Sequence, residues 1–264
     1  MPVLDDLSPW LLLFLLGAAF VAGWVDAVVG GGGLVQLPAL LTGLPAGTGT
    51  GTVLGTNKVA SAAGTAISSL TYMKRVRPVL STVAPLVVCA AIGSAAGAGL
   101  ASFIPRPWMS PIVLVALLAV GIHTLRRPVM GLEHAPRHHG VPHVLRTAGI
   151  GLGVGVYDGV LGPGTGSFFI ILMVAVLGYG FLEASVHAKL ANLTTNLGAL
   201  LVFGVQGHVW WLLGAVMALA NIAGGYLGAR LALRFGSAFV RGVFLVVTGG
   251  LSLRLAWDTL QLLI

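Results

Sequence analysis

The sequence predicts an all-α polytopic membrane protein made of two internal repeats. Three observations predict it. Of 264 residues, 57% are hydrophobic and only 8% are charged, where a soluble domain carries about 25% charged residues. Apolar runs long enough to span a bilayer follow one another with short polar breaks between them. And the first half is answered by the second at an offset of 131 or 132 residues.

The elements follow in order. Residues 10–29 form an apolar helix that ends in "GGGG" at 30–33. A short apolar segment, 34–44, either crosses or re-enters. Segment 48–73 is long and ends at "KRVRP"; segment 79–103 ends at "IPRPW"; segment 109–123 ends at "TLRRP". Residues 125–146, rich in Pro, His and Arg, read as an extramembrane linker. The chain therefore divides into an N-terminal repeat (1–124), a basic linker (125–146) and a C-terminal repeat (147–264). In the second repeat "GVYDGVLGPGTGS" at 155 answers "GWVDAVVGGGG" at 23. "HAKLANLTTN" at 187 answers "TNKVASAAGT" at 56, and "GGYLGARLAL" at 224 answers "GSAAGAGLAS" at 93. Asp26 thus corresponds to Asp158, Lys58 to Lys189, Ser61 to Asn192 and Thr65 to Asn196.

Loop charge gives the orientation. Lys74, Arg75 and Arg77 follow the 48–73 span, whereas the matching "VQGHV" has neither Lys nor Arg. At the next loop the bias reverses: Arg106 alone in the first copy, against Arg230, Arg234 and Arg241 in the second. Lys and Arg favour the cytoplasmic side, so the copies face opposite ways. Inverted 5+5 helical segments satisfy this, as in many secondary transporters. An even count, giving parallel copies, is the alternative. The inverted reading places Asp5, Asp6 and the N-terminus outside a cell (inner) membrane and the linker in the cytoplasm.

Composition excludes other classes. The net charge of +7 sits beside the spans, where it sets topology, and does not mark a nucleic-acid surface. One cysteine, Cys89, precludes an intrachain disulfide framework. The N-terminus lacks the basic n-region of a cleaved signal, so the first helix is expected to remain. No "GKS" or "GKT" follows the glycines, which rules against a phosphate loop. His134, His138, His139 and His143 read as a solvated loop, with no metal or cofactor expected. Glu183 and His187 are expected at a membrane edge.

The glycines and charges carry the site. In hydrocarbon every backbone N–H and C=O needs a partner, so a broken helix belongs where backbone is buried in protein or lines a wet cavity. "GGGG" and "GPGTGS" break two helices at equivalent places. New helix N-termini near Leu34 and Ser167 would offer amides and partial positive charge to an anion. Lys58 and Lys189 lie deep in apolar sequence, where charge is costly and marks a site or a pair. Polar stripes at helical spacing surround them: Asn57, Lys58, Ser61 and Thr65 in one copy, and Lys189, Asn192, Thr195 and Asn196 in the other. The expected substrate contacts are these eight residues with Gly32, Gly33, Gln36, Gly166 and Ser167. Asp26 and Asp158 sit near helix C-termini, where a carboxylate needs a cation. They read either as structural partners of the lysines or as proton-coupling groups.

"GWVDAVVGGGG", "GTNKVASAAGT", "YDGVLGPGTGSF" and "KLANLTTN" together resemble the TauE/SafE sulfite exporter family, also called the toluenesulfonate uptake permease family. The resemblance spans both copies. It implies a membrane permease for sulfur-containing oxyanions: sulfite, sulfonates, or sulfoacetate-like organosulfur anions. The expected function is therefore a secondary transporter of such anions, coupled to protons through Asp26 or Asp158, with the small anion, the lipid bilayer and protons as its partners. A passive anion channel is the alternative. A membrane-embedded enzyme fits less well, because no triad or metal-ligand spacing is present beyond the linker histidines.

Overall fold

A computed structural model describes residues 8–45, 47–100 and 131–263, with isolated positions 114, 115, 118, 122 and 126 between them. Most of segment 109–123, Arg106, Asp5, Asp6 and most of the first part of the linker lie outside the described residues. The elements are α1 (Pro9–Val29), α2 (Gly33–Gly43), α3 (Thr50–Met73), α4 (Leu80–Leu100), α5 (Gly140–Val160) and α6 (Thr165–Leu172). A π-turn (Met173–Leu177) continues α6, and α7 (Phe181–Val205) and α8 (Trp211–Leu263) complete the bundle. α8 is broken at Gly236, the one residue within it with non-helical dihedrals (φ 73°, ψ −167°).

Four of the described helices are long and apolar enough to cross a membrane: Pro9–Val29, Leu80–Leu100, Phe181–Val205 and Trp211–Gly250. Their outer faces carry exposed Leu13, Phe14, Val88, Ile92, Leu201 and Leu219, the surface that lipid covers. α1 starts where Ser8 accepts a hydrogen bond from the Leu11 amide (3.2 Å) with Pro9 in the first turn. It ends at Gly30, whose left-handed backbone (φ 80°) closes the helix through its N–H to Asp26 O (2.8 Å).

α2 then doubles back along α1. A Cβ on Gly32 would meet Asp26 Cβ at 2.7 Å, and one on Gly43 would meet Leu11 Cδ1 at 2.9 Å. With 11 residues α2 rises about 16 Å, short of a hydrocarbon core of about 30 Å. The segment predicted at 34–44 therefore reaches part-way across as the returning arm of a hairpin. α6, of 8 residues, likewise follows a glycine break.

Packing between the halves is reciprocal. α1 lies along α8, and α4 lies along α5. Both crossings are close because glycines remove the side chains between the backbones. A Cβ on Gly228 would stand 2.6 Å from Trp24 O, and one on Gly93 would stand 2.5 Å from Leu152 O. α3 and α7 pack against each other at the centre, each also touching a helix of the other crossing.

The linker differs from its expected form. Residues 140–146, assigned to it from sequence, are the first turns of α5. Its preceding residues are docked. The Ala135 and Arg137 amides donate to Gly178 O (3.0 Å) and Leu177 O (2.9 Å), and the Phe181 amide donates to Gly131 O (2.8 Å). Arg137 Nη1 also donates to Ala175 O (2.8 Å), which satisfies a carbonyl at the end of the π-turn.

Candidate functional site

Four helices bring the charges together. α1 carries Asp26 one turn before its glycine break, and α5 carries Asp158 likewise. α3 presents Lys58 and α7 presents Lys189. Lys58 Nζ donates to both carboxylate oxygens of Asp158 (2.9 and 2.8 Å) and to Asn196 Oδ1 (3.1 Å). Lys189 Nζ donates to Asp26 Oδ2 (3.1 Å) and to the Asp26 carbonyl. Each pair thus joins one half of the chain to the other.

The remaining lone pairs are filled by neighbours. Thr65 Oγ1 donates to Asp26 Oδ2 (3.1 Å) and Asn192 Nδ2 to Asp26 Oδ1 (3.2 Å). Thr165 Oγ1 donates to Asp158 Oδ1 (2.8 Å) and Ser94 Oγ to Asp158 Oδ2 (3.3 Å). Lys58 is 3% exposed and Lys189 is 0% exposed. A charge so buried is tolerated only when paired and hydrogen-bonded. The two carboxylates differ: the Asp26 side chain is 13% exposed and that of Asp158 only 1%.

The breaks meet each other. Ser167 donates its amide to Gly30 O (3.2 Å) and its hydroxyl to Val29 O (2.7 Å). A Cβ on Gly166 would stand 2.5 Å from Gly30 Cα, and one on Gly33 would stand 3.4 Å from Pro163 Cα. Gly162 borders Lys58: a Cβ there would be 3.5 Å from Nζ. This corrects one expectation. The Ser167 amide does not face a ligand here, because the opposite break's carbonyl takes it. At the start of α2 the amides of Leu34, Val35 and Gln36 turn back onto Gly31 O and Gly32 O, which tightens the first turn and uses donors that sequence left open.

The other expected residues fall as follows. Thr195 Oγ1 donates to Asn192 O (3.0 Å). Gln36 Oε1 accepts from Asn221 Nδ2 (2.8 Å). Asn57 is buried with no partner for Oδ1, and Ser61 is half-buried. Sequence reasoning missed Ser94, Thr165 and Asn221. Thr165 was within reach, being inside the "GPGTGS" motif and seven residues beyond Asp158, just across the break. Asn221 was signalled only as a lone amide in "MALANIAGG".

The histidines do not form a solvated loop throughout. His143 is buried in α5, with Nε2 2.8 Å from Thr82 Oγ1, which also lies 2.8 Å from Tyr179 OH. His187 is buried within the protein near the start of α7. Its Nε2 accepts the Val79 amide (3.0 Å), and its Nδ1 lies 2.7 Å from Glu183 O. His134, by contrast, is exposed and stacks edge-on against Tyr179. Among the described residues no three His, Cys, Asp or Glu side chains are grouped to hold a metal ion.

Helices interrupted inside an apolar bundle, with charges paired across two halves at the interruption, define a polytopic membrane transport protein. The family described as Sulfite exporter TauE/SafE matches residues 15–255, and the chain belongs to it. It is 35% identical over 255 residues to the probable membrane transporter protein ORF9 of Sinorhizobium sp, covering 97% of this chain and 96% of that one. It is 33% identical to the probable membrane transporter protein YfcA of Escherichia coli K12, covering 96% and 92%. A probable membrane transporter protein of Haemophilus influenzae is 32% identical, covering 96% and 97%. No solved structure matches the chain significantly.

Proposed function

We propose that this transporter is a secondary carrier of small sulfur-containing oxyanions, sulfite and sulfonates among them, driven by protons. One observation carries the coupling: the two lysines and two aspartates are paired within one buried site. With both carboxylates ionised the quartet is neutral. An anion entering it meets no net attraction and must compete with a carboxylate for a lysine. Protonating one Asp leaves the quartet with a single positive charge, which a monoanion neutralises. In a low-dielectric interior that difference decides binding.

Asp26 is the carboxylate a proton can reach, because its side chain retains exposure where Asp158 has almost none. Release of Lys189 by protonated Asp26 frees an ammonium beside Asn192 and Thr65. Sulfite has a second ionisation near neutral pH, so its charge state varies in the same range.

Two inverted copies are supported by the reciprocal crossings and the exchanged ion pairs. The orientation draws support from charge. Lys74, Arg75 and Arg77 precede Val79, which His187 holds at the start of α7. The docked linker segment and Ser237, which accepts from the Leu182 amide (3.2 Å), meet the same end. That end is the cytoplasmic one in this reading, with the protein in the cell (inner) membrane.

Reconstitution in proteoliposomes tests the proposal. An imposed proton gradient is expected to drive sulfite or 2-hydroxyethanesulfonate flux, and Lys58→Ala and Lys189→Ala to abolish it. Equal rates with and without the gradient would remove the coupling. Flux far above carrier turnover would make the protein a passive anion channel.

A further inference from the structure

We infer that the anion pocket is one-sided. Gln36 and Asn57 supply its uncharged polar contacts from the N-terminal half, and Asn221 is a positioning residue that turns the Gln36 amide group toward the ligand. This deepens the carrier reading and rests on it.

The first observation is two orphaned polar atoms. Gln36 is 0% exposed, and its Nε2 has no hydrogen-bond partner. Asn57 is 7% exposed, and its Oδ1 has none. Buried groups left unpaired are few in folded proteins, and each calls for an explanation. A buried donor and a buried acceptor, each without a partner, are explained by a ligand with oxygens and a protonated or hydroxyl end.

The second observation is how Gln36 is held. Its Oε1 is taken by Asn221 Nδ2 at 2.8 Å, so Nε2 is the end left over. Asn221 enters through a slot that two glycines open. A Cβ on Gly23 would stand 2.9 Å from Asn221 Oδ1, and one on Gly64 would overlap that oxygen. Gly23 lies three residues before Asp26, and Gly64 adjoins Thr65, which donates to Asp26. The Gln36–Asn221 pair therefore lies next to the more exposed carboxylate. Asn57 is seven residues before Gly64 on α3, on the same helix face, and adjoins Lys58.

The third observation is that the reciprocal positions lack this equipment. The positions matching Gln36, Asn57 and Asn221 are Phe168, Ala188 and Ala90, all buried in the apolar core. The polar residues that the second half has in greater number, Asn192 and Asn196, are already committed to Asp26 and Lys58. The charges are shared by both halves, whereas the unpartnered Gln36 Nε2 and Asn57 Oδ1 both belong to the first; the unpartnered His143 Nδ1 of the second half lies beside Tyr179, on a different set of contacts.

Binding to the purified full-length protein tests this, with sulfite, 2-hydroxyethanesulfonate and taurine as probes. Gln36→Glu keeps the acceptor for Asn221 and replaces the free donor by an oxygen; Gln36→Met removes the polar end. Each is expected to weaken 2-hydroxyethanesulfonate about tenfold or more, the loss of one hydrogen bond to a charged ligand. Asn221→Ala lets Gln36 turn its carbonyl inward. It is expected to weaken 2-hydroxyethanesulfonate and raise taurine, whose ammonium welcomes an acceptor, relative to it. A purely structural Asn221 would not move that ratio. Phe168→Leu is expected to stay within twofold of wild type. If the Gln36 variants fail to fold, the Asn221→Ala ratio decides. Binding within twofold in the folded Gln36 variants and an unmoved ratio in Asn221→Ala, with Lys58→Ala abolishing binding, would overturn the one-sided pocket and leave the carrier standing. Wild-type protein that binds none of the three probes would overturn both.

Discussion

Lys58→Met is the sharpest test of the charge pairing. It removes the ammonium that holds both oxygens of Asp158. The carboxylate, with a side chain 1% exposed, keeps only the Thr165 and Ser94 hydroxyls. Stranding one partner of a buried pair costs about 3–5 kcal/mol, since the carboxylate must stay charged without a cation or take up a proton. At roughly 2–4 °C per kcal/mol for a chain of this size, the melting temperature falls by roughly 6–20 °C. Lys58→Met with Asp158→Asn removes both charges and keeps the volumes. Replacing a buried pair by neutral groups is often close to neutral in stability, so the double variant is expected to recover most of the loss. A double-mutant cycle in detergent, read by tryptophan fluorescence during thermal or denaturant unfolding, gives the coupling directly. Transport should stay absent in both variants, because the anion has lost its cation. Additive losses, with the double variant as unstable as the sum of the singles, would refute the pairing.

Three further outcomes follow from separate contacts. Gly166→Ala puts a Cβ 2.5 Å from Gly30 Cα and should prise the two breaks apart, lowering folded yield and transport; wild-type yield by size-exclusion chromatography would show that the breaks do not touch. Tyr72→Phe removes the hydroxyl that donates to Ala27 O (3.0 Å) and should cost about 0.5–1.5 kcal/mol, measured as a shift of the unfolding midpoint. His187 can accept from the Val79 amide and donate to Glu183 O only as the neutral ring. Acidification that protonates it therefore removes the acceptor, and the exchange protection of the Val79 amide, taken relative to the intrinsic rate at each pH, should fall as pH falls, a loss that His187→Ala would show at all pH values.

The sequence by itself determined the membrane class, the positions of both helix breaks and the duplicated Asp and Lys. These are properties of composition, of runs and of motif spacing, and hydrocarbon punishes any chain that violates them. It also exposed the polar stripes on α3 and α7, because 3.6-residue periodicity puts Lys58, Ser61 and Thr65 on one face. Only the tertiary structure decided which lysine meets which aspartate. The duplicated motifs carry the same residue types, so pairing within a half and pairing across halves look alike in one dimension. The same holds for Ser167, whose amide sequence left open and the opposite break captured, and for Asn221, which has meaning only because Gly23 and Gly64 make room for it. His143 reads as a loop residue until packing sets its Nε2 against Thr82 of α4, and His187 Nε2 meets the Val79 amide just before α4. Local rules act along the chain over a turn or two of helix, whereas these contacts join residues sixty or more positions apart, and the crossing of α1 with α8 and of α4 with α5 is what brings them together.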